Sequence, residues 1–427
     1  MKYFFISKYG DSAGILPRIQ AEGHEVAIYI QEKSCKRVLD GIVPKMEIQA
    51  GIDWADYIVI DYKGFGVLGD KLRQQGKKVW GGCELADKLE KDRGFAFELC
   101  KNLGIRVPET YEFTIQEAIE FLRQARKKYI MKSDLDYSTL SFIPESNEYL
   151  IQFIQTCPLL TILTNKRIYL QEYIQGAEIS TNIFYTHGKI VPNPDATIET
   201  KKFMNNDCGA MTGAMTSLVW VYPEKEPRLY QKTLKKLEYL LSKAEFNVCI
   251  DANTIVTDED VWFLEFTPRL GYNWLYAYIQ LLDCEISEFF ARLCEGTLTR
   301  IPARNGFATA VRVSIPPFPF EMKQQDEKIL EKYYTSIPVL IKNFENVYML
   351  DVCLEKNGMF CCGNVVFEAT GYHPSDYTEA FKQAYKNTRN IEVANKQIRT
   401  DAIPNAKNRL EFLKKVNYLS GVGSSYF

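Results

Sequence analysis

Cys249 to Gly271 reads CIDANTIVTDEDVWFLEFTPRLG, two apolar runs that each carry one acid and meet across a charged turn. β-Branched and aromatic residues flanking the polar Thr257 to Asp260 predict a β-hairpin, with Asp251 in its first arm and Glu265 in its second. A carboxylate inside an apolar strand is costly to bury unpaired. A hard cation such as Mg2+ (or Mn2+), which takes oxygen ligands and keeps waters or phosphate oxygens in its shell, would offset that cost. The alternative is that each acid pairs with a nearby cation such as Arg269.

Composition narrows the function classes. A chain of 427 residues, 46% of them apolar, has enough material for two or three domains. Its 52 Lys plus Arg against 54 Asp plus Glu give a net charge of -2, with no overall footprint for nucleic acid. The 11 cysteines contain no CxxC pair, which points to reduced thiols and a cytoplasmic setting. His24, His187 and His373 lie far apart and suggest neither a zinc site nor a catalytic triad, and His24 reads as a surface turn residue. No apolar run of about 18 residues and no basic-then-apolar leader is present, so neither a membrane span nor a signal peptide is expected.

The first 80 residues alternate strand and helix, as expected for a parallel α/β sheet: strands at 3–7, 25–30, 57–62 and 78–80, helices near 15–21 and 68–75. Residues 8–14, KYGDSAG, sit where a helix start could receive an anion, although they lack the GxGxxG spacing and read equally well as a plain turn. Further on, the pattern predicts one long helix over 84–103, a helix opened by the capping box Thr114/Glu117, and a strand at 129–132. A strand pair at 169–174 and 178–185 and a lysine-rich helix over 224–244 follow. A β-rich section begins after Gly296 and closes with a helix at 377–387, and the proline cluster 316–320 reads as irregular surface chain.

Arg93 in a helix, Lys132 at a strand end, the segment QEYIQGAEIS (171–180), the two acids of the hairpin and Arg269 occur in an order that resembles the ATP-grasp superfamily. Within it the chain is most similar to the phosphoribosylamine-glycine ligase (glycinamide ribonucleotide synthetase) family, through 76–108, 171–180, EFTPRLG (265–271), 346–359 and 371–386. The resemblance implies an ATP-grasp fold, α/β and α+β in class. It comprises an N-terminal parallel α/β domain over 1–83, an ATP-grasp domain over 84–298 with a lid at about 127–185, and a β-rich C-terminal domain over 299–427.

It also implies roles. Lys132 and Arg93 would meet ATP phosphates, Glu172, Tyr173 and Ile174 the adenine, and Glu178 the ribose hydroxyls. Asp251, Glu265 and Thr267 would hold Mg2+, while Arg269 and Lys201 would serve the reacting groups. Taken singly the residues also read blandly, Lys132 and Lys201 as solvated lysines and Glu172 as a surface ion pair. The implied activity is an ADP-forming ligase that joins a small carboxylate, glycine or another amino acid, to a nucleotide, nucleobase or sugar amine, as monomer or homodimer. A genuine phosphoribosylamine-glycine ligase and a non-catalytic nucleotide-binding protein are the alternatives.

The chain departs from the family at four places. Residues 133–141 hold no glycine where the family has a Gly-rich phosphate loop, so Ser138, Thr139 and Ser141 would have to donate instead. Thr267 replaces an Asn ligand. DCGAMTGAMT (207–216) has lost the Pro, the Asn and several Gly of the acceptor segment, and the first-domain loop lacks Gly-Gly-Arg-Glu-His.

Overall fold

A computed structural model describes residues 1–132, 143–157, 160, 168–223, 225–320 and 327–419. The residues 133–141, expected to replace the family's phosphate loop, lie outside this set.

The N-terminal alternation forms a parallel sheet of β1 (Lys2–Ser7), β2 (Glu25–Ile30), β3 (Tyr57–Ile60) and β4 (Val79–Trp80), in the order β2-β1-β3-β4. β1 is buried along Tyr3, Phe4, Phe5 and Ile6, as a parallel strand covered on both faces requires. Glu22 binds this unit to the rest: its carboxylate accepts from the N–H groups of Ile286 (2.9 Å) and Ser287 (2.8 Å), the first turn of the helix Ile286–Glu295.

A small antiparallel sheet of β5 (Thr110–Phe113), β6 (Tyr129–Lys132) and β7 (Ile168–Glu172), in the order β5-β7-β6, packs with the helices Ile115–Gln124 and Asn147–Thr156. Met131, Leu150, Ile154, Ile168 and Leu170 give it a core of its own, separate from the main one. The small sheet and its two helices thus form a subdomain with its own core.

The largest sheet runs in the order β12-β11-β8-β9-β10-β13-β18-β15. Its strands are β8 (Ala177–Thr186), β9 (Lys189–Met204), β10 (Cys208–Val221), β11 (Cys249–Val256), β12 (Val261–Thr267), β13 (Phe307–Ser314), β15 (Val347–Met349) and β18 (Val365–His373). It crosses position 298/299, since β13, β15 and β18 all come from beyond it. A fourth sheet of β14 (Pro338–Ile341), β16 (Val352–Glu355), β17 (Gly358–Cys361) and β19 (Ile391–Glu392) completes the C-terminal part.

Several local expectations are corrected. The helix over 84–103 is two helices, Glu84–Lys91 and Arg93–Asn102, broken at Asp92, whose carboxylate caps the Phe95 N–H at 2.9 Å. The segments 169–174 and 178–185 do not pair: β7 belongs to the small sheet and β8 to the large one. The lysine-rich stretch is broken at Thr233, between the helix Arg228–Lys232 and the 3-10 turn Leu234–Leu237 that leads into the helix Glu238–Lys243.

Strand β9 was hidden by Pro192 and Pro194. The chain accommodates them in an irregularity between the Asn182↔Asp195 and Phe184↔Val191 pairs, with Asn193 at φ 74°. A further helix, Ala402–Lys415, follows Tyr377–Thr388.

Candidate active site

Side chains alternate between the two faces of a strand, so residues two apart share a face. On one face of four adjacent strands this places Thr267 and Glu265 of β12, Asp251 and Asn253 of β11, Ser180 and Glu178 of β8, and Thr197, Glu199 and Lys201 of β9. All of them line one cleft of about 1330 Å³. The opposing wall carries Lys132 of β6, Glu172, Tyr173 and Ile174 at the end of β7, and Arg93 at the start of its helix. Arg269 lies at the far end, with loops that follow β1, β2 and β3. Every residue expected at the site therefore meets in one place.

Their pairings differ from the simplest expectation. Lys201 donates to Glu178 at 2.7 Å and lies 3.9 Å from Glu199, so its ammonium fixes an acid instead of standing free. Asn253 also donates to Glu178, at 3.0 Å. Burial works to raise the Glu178 carboxyl, but Lys201, Arg409 and the two hydrogen bonds outweigh it and hold the pKa down at about 2. Burial likewise pushes Glu265 up, and Lys201, Lys132 and Arg93 more than offset it, leaving the group below its ordinary value. Arg93 is 3.7 Å from Glu265.

Asp251 has the opposite balance: burial first, then Glu199 and Asp195, drive its carboxyl well above the ordinary range. Lys132 is depressed by burial, and among the described residues no carboxylate lies within ion-pair distance of it. A desolvated lysine facing open space is suited to meeting an anion that enters.

Arg269 is not a partner of either hairpin acid. It donates to Glu90 at 3.0 Å, and its guanidinium lies between the rings of Tyr62 (5.1 Å) and Tyr272 (4.9 Å).

The same arrangement of sheets occurs in solved structures. Phosphoribosylamine-glycine ligase from Thermotoga maritima matches with a TM-score of 0.69 over 94% of this chain and 100% of its own, at 20% identity. Biotin carboxylase from Campylobacter jejuni, solved as a β,γ-ATP complex, matches at 0.60 over 98% of both chains, at 13% identity. The fold is the ATP-grasp fold. No family model matches the chain. A curated phosphoribosylamine-glycine ligase from Lactococcus lactis subsp. lactis is 21% identical over 256 residues, 57% of this chain and 60% of that protein, so the match spans less than two thirds of the relative.

Within the ATP-grasp fold of this chain, the segment joining the small sheet to the large one is Tyr173 to Gly176. The N–H groups of Glu172 and Tyr173 are used inside the protein, on the carbonyls of Glu109 and Lys128 at 2.8 Å each. Lys127 takes the Glu172 carboxylate at 3.0 Å, as the bland reading anticipated. Among the described residues no hydrogen bond uses the Ile174 N–H, which leaves that group for a ligand edge.

Whether Mg2+ fits can be judged from the donors. Asp251 lies opposite Thr267 and Asn253 opposite Glu265 on β11 and β12. Among the described residues no cluster of three or more His, Cys, Asp or Glu could hold a metal unaided. The set fits a cation that takes one or two carboxylates and completes its shell from phosphate and water, which is the habit of Mg2+.

Sequence reasoning missed Ser180, Asn182, Asp195, Glu199 and Asn253. Asn182 donates to Asp195 at 2.9 Å beneath the site, and Trp274 Nε1 does so at 3.2 Å. The every-second-residue polarity of 178–182 and 195–201 was the available signal, but it required recognising β9. The departed segment 207–216 lies in β10, where Met211, Thr212 and Gly213 reach the cleft. A Cβ at Gly213 would come within 2.9 Å of the Tyr272 ring, so that position is closed to larger residues.

Proposed function

We propose that this protein is an ATP-dependent ligase that joins a small carboxylate to an amine. The observation that carries the reading is the polar face of β8, β9, β11 and β12, whose Glu178, Glu199, Lys201, Asp251 and Glu265 share a single cleft with Lys132 and Arg93. The shared fold, and the ATP and ligase named for the Campylobacter jejuni and Thermotoga maritima structures, support it.

In this reading Ile174 and its neighbours hold the adenine edge, and Glu178, kept ionised by Lys201 and Asn253, accepts from the ribose hydroxyls. Lys132 and Arg93 offset phosphate charge. Asp251 and Glu265 would hold Mg2+, with the Thr267 hydroxyl beside them, and the cation when bound neutralises charge that develops on the phosphate oxygens. The substrate carboxylate takes the γ-phosphoryl group to give an acyl phosphate and ADP. The amine then attacks the acyl carbon, and inorganic phosphate and a proton leave. Arg269, pinned by Glu90 between two tyrosine rings, presents a fixed fork to the acyl phosphate. Lys201 acts through Glu178 as a positioning residue.

No helix among the described residues is long and apolar enough to cross a membrane, and the free thiols fit a cytoplasmic enzyme. The test is ADP release by the purified chain with ATP and Mg2+ across a panel of carboxylates and amines. Turnover with one pair, lost in Glu265→Ala, supports the ligase. Nucleotide binding without ADP release for any pair overturns it in favour of a binding protein.

A further inference from the structure

In open parallel sheets ligands enter at the carboxyl ends of the strands, where the following N–H groups can take a phosphate. Here each strand of the N-terminal sheet is followed by N–H groups already taken by a carboxylate of this chain. After β1, the Ser12 N–H donates to Asp61 at 3.2 Å and the Ser12 hydroxyl donates to the same oxygen. After β2, the Lys33 N–H donates to Glu32 at 3.0 Å. After β3, Gly64 (2.6 Å) and Gly66 (3.0 Å) donate to Asp87, and after β4 the Glu84 N–H donates to Asp70 at 2.9 Å. A phosphate brought to these N–H groups would meet a built-in anion, which leaves side chains at this end of the cleft, Lys8, Lys33, Arg37 and Lys63 among them, to receive it. Within residues 8–14 the N–H groups of Gly10, Ser12 and Ala13 are spent inside the chain, on the Ser7 hydroxyl, Asp61 and the Gly10 carbonyl.

What this end of the cleft does offer is different. Asp11, in the loop after β1, lines the cleft, and its Oδ2 is buried with no hydrogen-bond partner. The loop is fixed by the Tyr276 hydroxyl, which donates to the Asp11 carbonyl at 2.6 Å. Arg312 of β13 lines the same end and donates through Nε to Glu368 at 2.8 Å. Its guanidinium lies 5.8 Å from the Tyr272 ring, and among the described residues its two terminal nitrogens make no hydrogen bond. Asp61, Glu90 and Glu368 also keep a buried oxygen without a donor, and of the four Asp11 alone lines the cleft, where an entering group could supply one.

We propose, resting on the ligase reading, that the amine acceptor is an unphosphorylated amino acid, its amino group received by Asp11 and its carboxylate by the fork of Arg312. In this reading the acyl phosphate forms near Asp251, Glu265 and Arg269, and Asp11 and Arg312, which line the same cleft, receive the acceptor beside it. A sugar phosphate amine, the acceptor implied by the family resemblance, would find these loop N–H groups already spent on carboxylates.

The experiment is calorimetric titration of the full chain, with and without Mg2+ and a non-hydrolysable ATP analogue. The probes are the common amino acids, their N-acetyl and decarboxylated derivatives, and the amine phosphates phosphoethanolamine and glucosamine 6-phosphate. The expected result is binding of at least one amino acid, weakened about tenfold or more by N-acetylation, by decarboxylation and in Asp11→Asn. Should Asp11→Asn fail to fold, the two derivatives on the wild-type chain carry the same comparison.

Tighter binding of an amine phosphate than of any amino acid, indifference to N-acetylation, or binding of no amino acid overturns the proposal. ADP release is read separately. Amino-acid binding without ADP release sinks the ligase reading alone, and ADP release driven by an amine phosphate sinks the acceptor assignment alone.

Discussion

Lys201 of β9 donates to Glu178 of β8 at 2.7 Å, and this pair links the acid expected at the ribose to the lysine expected at the reacting groups. Removing one partner of a largely desolvated pair leaves the other uncompensated. Lys201→Met is expected to lose about 2 to 3 kcal/mol in urea unfolding, less than for a fully dry pair because the Glu178 side chain is 31% exposed. Affinity for ATP should fall by about tenfold or more in the same variant. Unchanged ATP affinity would remove Glu178 from the nucleotide site.

The pH dependence of that pair has a definite sign. Glu178 is depressed to about 2 in the folded protein, so its contribution is complete above the unfolded carboxyl value and is lost as pH falls from about 4.3 towards 2. Wild type and Lys201→Met should therefore converge in stability between about pH 4 and pH 2. Equal separation at all pH values would contradict the assignment.

Asp195 carries the opposite sign. Burial raises its carboxyl to about 7 despite donors from Asn182 and Trp274, so its contribution is present below about pH 4 and is lost as pH rises through 7. Asp195→Asn should gain on wild type by about 2 to 3 kcal/mol between pH 5 and pH 8, measured by urea unfolding of both at each pH. A flat difference would show that the group is ionised throughout.

Asp92 ends one helix and caps the next, which begins with Arg93. Asp92→Ala is expected to lose about 1 kcal/mol and to weaken ATP binding through displacement of Arg93. Denaturant unfolding and nucleotide titration separate the two effects.

Arg399 has a fully buried side chain that donates to Asp401 (2.7 Å) and to the Lys202 carbonyl (2.8 Å) and pairs with Asp207 (2.8 Å), tying the β9–β10 hairpin to the C-terminal segment. Arg399→Gln should cost about 2 to 3 kcal/mol in urea unfolding, through the lost hydrogen bonds to Asp401 and the Lys202 carbonyl, since Asp207 is half-exposed and stays solvated. A loss under about 1 kcal/mol would mean that the hairpin does not depend on this latch.

The sequence by itself determined those features that rest on local pattern. Continuous apolar runs separated by helices mark the parallel sheet, and alternation around a charged turn marks the β11–β12 hairpin. The Thr114/Glu117 capping box is observed with both of its hydrogen bonds. The order from Arg93 to Arg269 named residues that the fold brings into one cleft; most lie at the end or on one face of an element that could be recognised locally, whereas Lys201, on the unrecognised β9, came from the family resemblance alone.

Only the tertiary structure decided the partners. Glu178 meets Lys201 and Asn253 because β8 lies between β9 and β11, and period-2 alternation fixes which face a side chain takes but not which strand lies beside it. Asp61 and Asp87 fill loops 49 and 21 residues away from them, so nothing near Ser12 or Gly66 announces that those donors are spent. Strand β9 escaped because its prolines are tolerated only at an irregularity that the neighbouring strand creates. Local chemistry chose the elements; long-range pairing chose which charges are neutralised, and so which remain for a substrate.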